Sequence, residues 1–306
     1  MRLVVLGGGE SGVGTAILGK KKGYDVFVSD FGKIKENYKE VLTINGIAWE
    51  DEKHTEELIL NADVVMKSPG IPEKAPIVKK LIEKGIPVIS EIEFAIQFTD
   101  ATTVGITGSN GKTTTTLLTY HLLKQGGLNV GLAGNIGKSF AWQVAENKHD
   151  IYVLELSSFQ LDGIINYKPD IAIITNISPD HLDRYNYDYS LYIDSKFRIT
   201  KNQTEADYLI YDNEDEAIQN WLNKNTIKAN KVPFSLTGKP EKDGGFIENN
   251  NINSTIKNEI FTMPINELAL EGKHNIKNAM AATAVAQLLN IRKQTLRESL
   301  TNFQGV

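Results

Sequence analysis

Twice in this sequence, a short apolar strand leads into a glycine-rich loop that opens a helix. The first case is residues 2–6 followed by Gly7 to Gly12, and the second is residues 103–106 followed by Gly108 to Lys112. A strand, a tight loop and a helix in this order begin a βαβ unit, whose strands pair in parallel. The sequence therefore predicts an α/β protein built on mostly parallel sheets.

The alternation of strands and helices continues after each loop. In the first half, hydrophobic periodicity and glycine stops predict strands over 2–6, 25–29, 64–66 and 87–89 and helices over 13–22 and 75–84. In the second half they predict strands over 103–106, 130–132, 151–156, 171–175 and 208–211, and helices over 112–125, 190–200, 214–224, 278–289 and 292–300. Residues 201–267 are less informative. There, Asp243-Gly244-Gly245 predicts a hairpin turn at the surface.

A length of 306 residues suggests about two domains, which we place on either side of a polar stretch near residues 97–101. Lys plus Arg number 33 and Asp plus Glu 38, a net charge of −5 without a basic block, which argues against a nucleic-acid surface. The absence of cysteine excludes disulfides and thiolate metal sites. Without a signal peptide or a long apolar run, we expect a cytoplasmic chain that does not insert into membranes.

The N-terminal loop has the spacing of a dinucleotide-binding fingerprint. Gly9 and Gly12 lie between a strand and a helix, and Asp30 ends the next strand. Glycines let the backbone approach a diphosphate, and the helix N-terminus attracts its negative charge. NAD, FAD and UDP-sugars all carry a diphosphate, so the loop alone does not choose among them. The glycines could also serve only close packing of helix on sheet.

The second loop resembles a phosphate-binding loop. Its backbone N–H groups would cradle phosphate oxygens, Lys112 would reach the terminal phosphates, and Thr113 would bind Mg²⁺. The loop departs from the usual pattern because Ile106 occupies the place of the first glycine. The sequence predicts ATP binding here.

Three polar residues follow the strands of the second half. Glu155 ends an apolar strand, where the carboxylate would point into the crevice used by ligands of parallel sheets. His181 lies in the loop after the next strand, and Lys196 lies in a helix among apolar residues. Each has a plain alternative: Glu155 is a solvated residue at a strand end, His181 is a structural histidine, and Lys196 is a surface lysine with a buried stem.

Together these motifs resemble the Mur ligase family. The segments that carry the resemblance occur in the family's order along nearly the whole chain: the glycine loop, 68–71, 107–113, 135–137, 155–161, 181–185, Lys196 and 274–278. The runs 155–161 and 181–185 are most similar to the members that add D-glutamate to UDP-N-acetylmuramoyl-L-alanine. The resemblance implies a Rossmann-like domain over 1–98, a central P-loop ATPase-type domain over 99–300 and a hinge beginning at 301–306. It also implies a third, C-terminal Rossmann-like domain that this sequence lacks, and hence a truncated chain with little ligation activity.

The resemblance also implies roles for individual residues. The UDP substrate would contact Gly9, Ser11, Gly12, Asp30, Ser68, Gly70, Asn135, Gln160 and His181, with Ser11 at the diphosphate and Asp30 near the uracil. ATP would contact Gly108, Ser109, Asn110, Gly111, Lys112, Thr113, Thr114, Asn275 and Asn278, with the last two at the adenine. Two Mg²⁺ ions would be held by Thr113, Glu155, His181 and Lys196, the last as a carbamate. The catalytic set would be Lys112, Glu155, His181 and Lys196.

The implied reaction builds an amide bond of a peptidoglycan precursor. The alanyl carboxylate attacks the γ-phosphorus of ATP, and the amino group of D-glutamate then displaces phosphate from the acyl phosphate. Carbamylation of Lys196 requires the neutral amine, which burial near other cations favours. We expect a monomer. The alternatives are another Mur ligase or a folylpolyglutamate-type ligase, a P-loop kinase or regulatory NTPase, and an NAD-dependent dehydrogenase.

Overall fold

The computed structural model describes residues 1–305, and the chain divides into two compact units. The first unit comprises Met1–Asp100 together with Gly137–Lys148 and Asp162–Tyr167. The second comprises Ala101–Ile136, His149–Leu161 and the chain from Lys168 onward. The contiguous domains 1–98 and 99–300 stay a prediction. The predicted hinge at 301–306 ends on Val306, which lies outside the described residues. Within residues 1–305, no helix combines the length and the apolar character needed to span a membrane.

The first unit is built on a parallel sheet. Its strands are β1 (Arg2–Leu6), β2 (Asp25–Ser29), β3 (Ala48–Glu50), β4 (Val64–Lys67) and β5 (Val88–Ile89). Its helices include α1 (Glu10–Lys21), α2 (Glu36–Ile44), α3 (Glu56–Ile59), α4 (Pro76–Glu83) and α5 (Glu91–Ala95). The strand order is β3-β2-β1-β4-β5, the order of a Rossmann half with a switch point between β1 and β4. The Rossmann-like prediction is confirmed, and β1 and β2 have the predicted bounds.

The second unit is built on a larger sheet. Its elements up to residue 200 are β6 (Thr102–Thr107), α6 (Lys112–Gln125), β7 (Val130–Gly134), β8 (Ile151–Glu155), α8 (Ser158–Asp162), β9 (Ile171–Ile174) and α9 (Tyr189–Phe197). Helix α7 (Phe140–Glu146) lies between β7 and β8 in sequence and belongs to the first unit. The later elements are β10 (Tyr208–Asp212), α10 (Glu216–Lys224), β11 (Asn230–Ser235), β12 (Gly244–Glu248), β13 (Asn251–Ile256), β14 (Glu259–Pro264), α11 (Lys273–Leu288) and α12 (Lys293–Asn302). The order is β14-β13-β12-β11-β10-β9-β6-β8-β7, parallel except for the pairs β12–β13 and β13–β14.

The expected surface turn at residues 243–245 is wrong. Gly244 begins β12, and both Gly244 and Gly245 are buried. Neither position has room for a side chain, since one at Gly244 would overlap the backbone of Pro233 and one at Gly245 would press on Met280. Two glycines here permit close packing of a strand, which is a second common use of the residue in sheets. The tight turns fall later, at residues 249–250 and 257–258, where consecutive residues have positive φ.

Helix α11 places its N-terminal residues beside the phosphate loop. The helix is rich in alanine, and its residues from Asn278 to Ala286 are all buried against the sheet and α6. Alanine has high helix propensity and little bulk, so this helix can approach its neighbours closely. One consequence is that Asn278 reaches Thr115 of α6, whose Oγ1 donates a hydrogen bond to Asn278 Oδ1 at 3.1 Å.

Candidate active site

In the first unit, Asp30 holds the glycine loop in place. Gly8 N donates to Asp30 Oδ2 at 2.6 Å, and Gly32 N donates to Oδ1 at 2.8 Å. Gly7 has φ +99°, and a side chain at Gly12 would overlap the Gly7 carbonyl, so the loop needs glycine at both ends. Gly9 has open space around its Cα, which leaves room for a ligand to approach the backbone.

Ser68 and Gly70 belong to the same edge of the sheet. Ser68 follows β4, and a Cβ at Gly7 would lie 2.8 Å from the Ser68 Cβ, so the two residues are in close contact. Gly70 is exposed, and nothing lies within 4 Å of the position of its missing side chain. Ser68 and the glycine loop thus meet at the carboxyl ends of β1 and β4, the switch point where ligands bind in this type of sheet.

Two carboxylates beside Ser11 were missed from the sequence. Glu10 accepts hydrogen bonds from Tyr38 Oη at 2.8 Å and from Ser139 N at 3.2 Å, and burial together with Glu10 raises the pKa of Tyr38 to about 12. Glu91 is 2% exposed, and Ala141 N donates to its Oε1 at 2.8 Å. Burial raises the pKa of Glu91 to about 7, against opposing hydrogen bonds that include the Ser11 hydroxyl. A sequence pattern gives no signal for these partners, because Ser139 and Ala141 lie far along the chain.

In the second unit, the loop from Gly108 to Lys112 connects β6 to α6. Gly108 has φ +148° and Gly111 has φ +77°, conformations that favour glycine. A side chain at Gly108 would overlap the hydroxyl of Thr175, and one at Gly111 would lie 2.8 Å from Asn278 Oδ1. The first N–H groups of α6, which include those of Thr113 and Thr114, have no partner within the helix and suit an anion.

The loop after β9 holds the phosphate loop. Ser109 N donates to the Asn176 carbonyl at 2.9 Å, and Asn110 N donates to Asn176 Oδ1 at 2.9 Å. Asn176 Nδ2 returns a bond to the Asn110 carbonyl at 2.8 Å, and Ser178 N donates to Ser109 Oγ at 2.9 Å. Asn176 was not among the predicted site residues, although it lies in the same loop as His181.

Two lysines converge on one carbonyl of this loop. Lys112 Nζ donates to the carbonyls of Gly108 and Ser109 at 3.0 and 2.9 Å, and Lys196 Nζ donates to the same Gly108 carbonyl at 2.8 Å. Burial lowers the pKa of Lys112, while Glu155 and Asp180 oppose that shift. Lys196 is 2% exposed and its ammonium lies 4.6 Å from the centre of the Tyr192 ring. The surface-lysine alternative for Lys196 is therefore wrong.

Glu155 is a buried carboxylate, and one of its two oxygens has no hydrogen-bond partner. It is 1% exposed, and Asn135 Nδ2 donates to its Oε1 at 2.8 Å, while Asn135 N donates to its backbone carbonyl at 2.8 Å. Its Oε2 is buried without a hydrogen-bond partner. An unpaired buried carboxylate oxygen is costly unless a ligand or cation meets it. Asn135, which was expected to line the substrate path, positions this carboxylate.

His181 and Gln160 occupy different surroundings. His181 has φ +49° and a side chain that is 56% exposed, with Nε2 3.5 Å from Asp180 Oδ2. Gln160 is buried, and its Oε1 accepts hydrogen bonds from Ser157 N and Ser157 Oγ at 2.9 and 3.0 Å. Among the described residues, no group of three or more His, Asp or Glu side chains is gathered to hold a metal. The predicted ligation by Glu155 and His181 stays a prediction.

The two predicted adenine contacts lie on the first turns of α11. Asn278 is buried and accepts from Thr115, and its Nδ2 donates to Asn275 Oδ1 at 3.3 Å. Asn275 Nδ2 donates to the Glu271 carbonyl at 2.8 Å. Lys277, which directly precedes Asn278, pairs with Asp212 and Glu214, so a partly buried ion network holds this end of the helix to the sheet. The amide of Asn278 lies beside Gly111 of the phosphate loop.

A Rossmann-like unit with a glycine loop and a second unit with a phosphate loop define a two-site nucleotide-binding α/β protein. Residues 106–286 match the Mur ligase middle domain, and residues 2–77 match the MurD N-terminal domain. The chain belongs to the Mur ligase family, as the resemblance predicted.

Two relatives agree with this assignment, and two solved structures share the fold. The chain is 65% identical to the UDP-N-acetylmuramoylalanine–D-glutamate ligase of Christiangramia forsetii, an alignment that covers 100% of the chain and 68% of that relative. It is 55% identical to the ligase of the same name from Bacteroides fragilis, with the same coverage. The fold is similar to UDP-N-acetylmuramate:L-alanyl-gamma-D-glutamyl-meso-diaminopimelate ligase from Neisseria meningitides, with a TM-score of 0.70 at 20% identity over 100% of this chain and 98% of that one. It is also similar to UDP-N-acetylmuramate-alanine ligase from Thermotoga maritima, with a TM-score of 0.59 at 20% identity over 100% and 69%.

Proposed function

We propose that this chain carries the UDP-substrate and ATP sites of an ATP-dependent ligase that adds D-glutamate to UDP-N-acetylmuramoyl-L-alanine, a step of peptidoglycan precursor synthesis. The names of the relatives from Christiangramia forsetii and Bacteroides fragilis support the substrates. The observation that carries the chemistry is the convergence of Lys112 and Lys196 on the Gly108 carbonyl within a phosphate loop. Lys112 supplies a cation at this point, which suits the transfer of a phosphoryl group between two anions, and Lys196 lies beside it.

The phosphate loop supplies charge and position for that transfer. The N–H groups at the start of α6 bind phosphate oxygens, and Lys112 exchanges its carbonyl partners for the terminal phosphates of ATP. The backbone N–H groups of Ser109 and Asn110 donate to Asn176, so the loop keeps its shape when the nucleotide arrives. The alanyl carboxylate then attacks the γ-phosphorus, and the amine of D-glutamate displaces phosphate from the resulting acyl phosphate. Adenine lies against Asn275 and Asn278.

The donor set fits Mg²⁺. A hydroxyl from Thr113 and the open Oε2 of Glu155 are hard oxygen ligands of the kind that Mg²⁺ prefers. When bound, the metal neutralises charge on the transferring phosphoryl group. A second ion would use Glu155, His181 and Lys196 as a carbamate. Lys196 is 2% exposed and shares the Gly108 carbonyl with Lys112, and its reaction with CO₂ requires the neutral amine.

The first unit holds the UDP part of the other substrate. Gly9 and Gly12 let the backbone approach the diphosphate, the backbone N–H of Ser11 in the first turn of α1 donates there, and Asp30 keeps the loop in its binding shape. Ser68 and Gly70 border the same switch point. The contacts of Asn135, Gln160 and His181 with this substrate stay a prediction. About a third of the relatives' length has no counterpart in these 306 residues. We propose that this part supplies the D-glutamate site, so the 306 residues alone bind the nucleotide and ligate weakly.

Calorimetric titration tests the proposal. The chain is titrated with UDP-N-acetylmuramoyl-L-alanine, and NAD and UDP-glucose serve as comparison ligands. Tighter binding of the muramoyl nucleotide is expected, because only this ligand combines the diphosphate with the muramoyl-alanine group. A preference for NAD would reassign the glycine loop to a dehydrogenase. Light scattering of the same sample tests the expected monomer. An enzyme that consumes ATP and a nucleotide-activated sugar would act in the cytoplasm, where both are available.

A further inference from the structure

The end of β2 presents an aromatic ring to solvent. Phe31 is 74% exposed, although Ser29, two residues earlier, is fully buried. In a sheet of this order, ligands bind at the carboxyl ends of the strands, and the end of the second strand meets the ribose or base of a bound nucleotide. An exposed phenylalanine at this point is placed to cover a planar base.

Asp30 lies at the position where an acidic residue commonly contacts the bound nucleotide, and its carboxylate already accepts two hydrogen bonds. Its two carboxylate oxygens accept hydrogen bonds from Gly8 N and Gly32 N. These two bonds fix the carboxylate against the backbone of the glycine loop. Asp30 therefore shapes the loop, and the exposed side chains around it are placed to contact the base.

His54 is the neighbour of Phe31. The two ring centres are 5.6 Å apart, and their planes are inclined by 43°. His54 Nδ1 lies 2.7 Å from Ser29 Oγ, and Ser29 Oγ donates to Glu50 Oε1 at 2.8 Å. Burial opposes ionisation of Glu50, but its hydrogen bonds from Thr55 and Ser29 outweigh burial and lower its pKa. Glu50 is therefore a carboxylate and accepts the Ser29 proton.

This chain of hydrogen bonds sets the tautomer of His54. A serine hydroxyl has a single proton, and that of Ser29 goes to Glu50, so His54 Nδ1 must donate its own proton to Ser29 Oγ. Burial lowers the pKa of His54, with Glu50 and Asp30 opposing, so the neutral ring is favoured. In a neutral imidazole with a proton on Nδ1, Nε2 is a hydrogen-bond acceptor.

We propose that Phe31 and His54 read the base of the UDP substrate, with Phe31 stacking on the ring and His54 Nε2 accepting the N3–H of uracil. Cytosine carries an acceptor at N3 and would leave the histidine without a donor, so the pair selects uridine over cytidine nucleotides. This inference rests on the proposed function, because it deepens recognition at the same UDP site.

The stacking half is tested by calorimetry with UDP-N-acetylmuramoyl-L-alanine. Phe31→Ala is expected to weaken binding roughly tenfold, whereas Phe31→Tyr retains the native affinity, because stacking of a base on an aromatic ring is of this order. Ile44→Ala is the matched control, since Ile44 is 84% exposed and lies in the same unit. Phe31 is mostly exposed, so its replacement leaves the melting temperature unchanged.

The hydrogen-bonding half is tested by competition with UDP and CDP at pH 8. The native chain is expected to prefer UDP, and His54→Phe, which keeps a ring but removes the acceptor, brings the ratio of the two affinities close to one. If His54 had a merely structural role, the substitution would weaken the binding of UDP and CDP equally and leave the ratio of their affinities unchanged. That result would overturn the assignment of His54.

The inference and the proposed function fail differently. If the native chain does not bind UDP-N-acetylmuramoyl-L-alanine, the proposed function is wrong, and the inference falls with it. If the native chain binds this ligand and Phe31→Ala binds it equally well, the proposed function stands and the stacking role is wrong.

Discussion

Asp30→Asn should separate the substrate site of the first unit from the ATP site of the second. The native carboxylate accepts two backbone N–H groups, from Gly8 at 2.6 Å and from Gly32 at 2.8 Å. An asparagine offers one carbonyl oxygen, so one contact loses its acceptor, and the other loses its charge. Hydrogen bonds to charged groups are worth about 1.5–3 kcal/mol, so the loop conformation should lose about 2 kcal/mol.

A loss of this size corresponds to roughly a thirtyfold weaker affinity for UDP-N-acetylmuramoyl-L-alanine, if binding requires the native loop. Calorimetry measures this affinity, and a parallel ATP titration should show no change. Asp25→Asn is the matched control, because Asp25 begins β2, the strand that Asp30 follows, and its side chain is 69% exposed. Equal affinities for the native chain and Asp30→Asn would refute the view that this carboxylate shapes the loop.

Three further outcomes follow from the buried groups. Gly108→Ala should abolish ATP binding and lower the melting temperature, because the new side chain would overlap the Thr175 hydroxyl and Gly108 has φ +148°. A native melting temperature and a native affinity for ATP would contradict this. Glu91 has a folded pKa of about 7, above its usual 4.5, so its contribution to stability is present below about pH 4.5 and is lost as pH rises through 7. Urea unfolding measures this: between pH 4.5 and pH 8, the free energy of unfolding of Glu91→Gln should rise by roughly 3 kcal/mol relative to that of the native chain. The exposed variant Glu40→Gln should show no such relative change. With ¹³C-labelled bicarbonate, the native chain should show a carbamate NMR signal that persists in Lys201→Arg; the same signal in Lys196→Arg would assign it to another lysine.

The candidate site divides into residues whose placement the local pattern predicted and residues that it missed. The glycine loop with Asp30, and the loop from Gly108 to Thr113, were found from spacing, since each is a contiguous strand, turn and helix. Asn176 was missed, because its bonds to the phosphate loop join segments more than 60 residues apart. The hydrogen bond from Asn135 to Glu155 likewise joins two strand ends that no periodicity links.

Element prediction failed where side-chain alternation was weak. Strands β11 to β14 were not predicted, and Gly244 was mistaken for a turn residue. Several of these strands carry asparagine, serine and glycine at positions where a regular strand has apolar residues. Their strand conformation comes from pairing with β10 and with one another, which is a property of the assembled sheet.

The sequence by itself determined the α/β class, the two glycine-bearing loops and the family, because these depend on local order: apolar runs, glycines that permit positive φ, and polar residues at strand ends. The tertiary structure decided which of those residues meet. It brought Lys196 to the carbonyl shared with Lys112, left one oxygen of Glu155 open, and placed 137–148 with the first unit. Such contacts form between distant segments only when the sheets and helices pack, and a one-dimensional pattern does not record which side chains share a buried space.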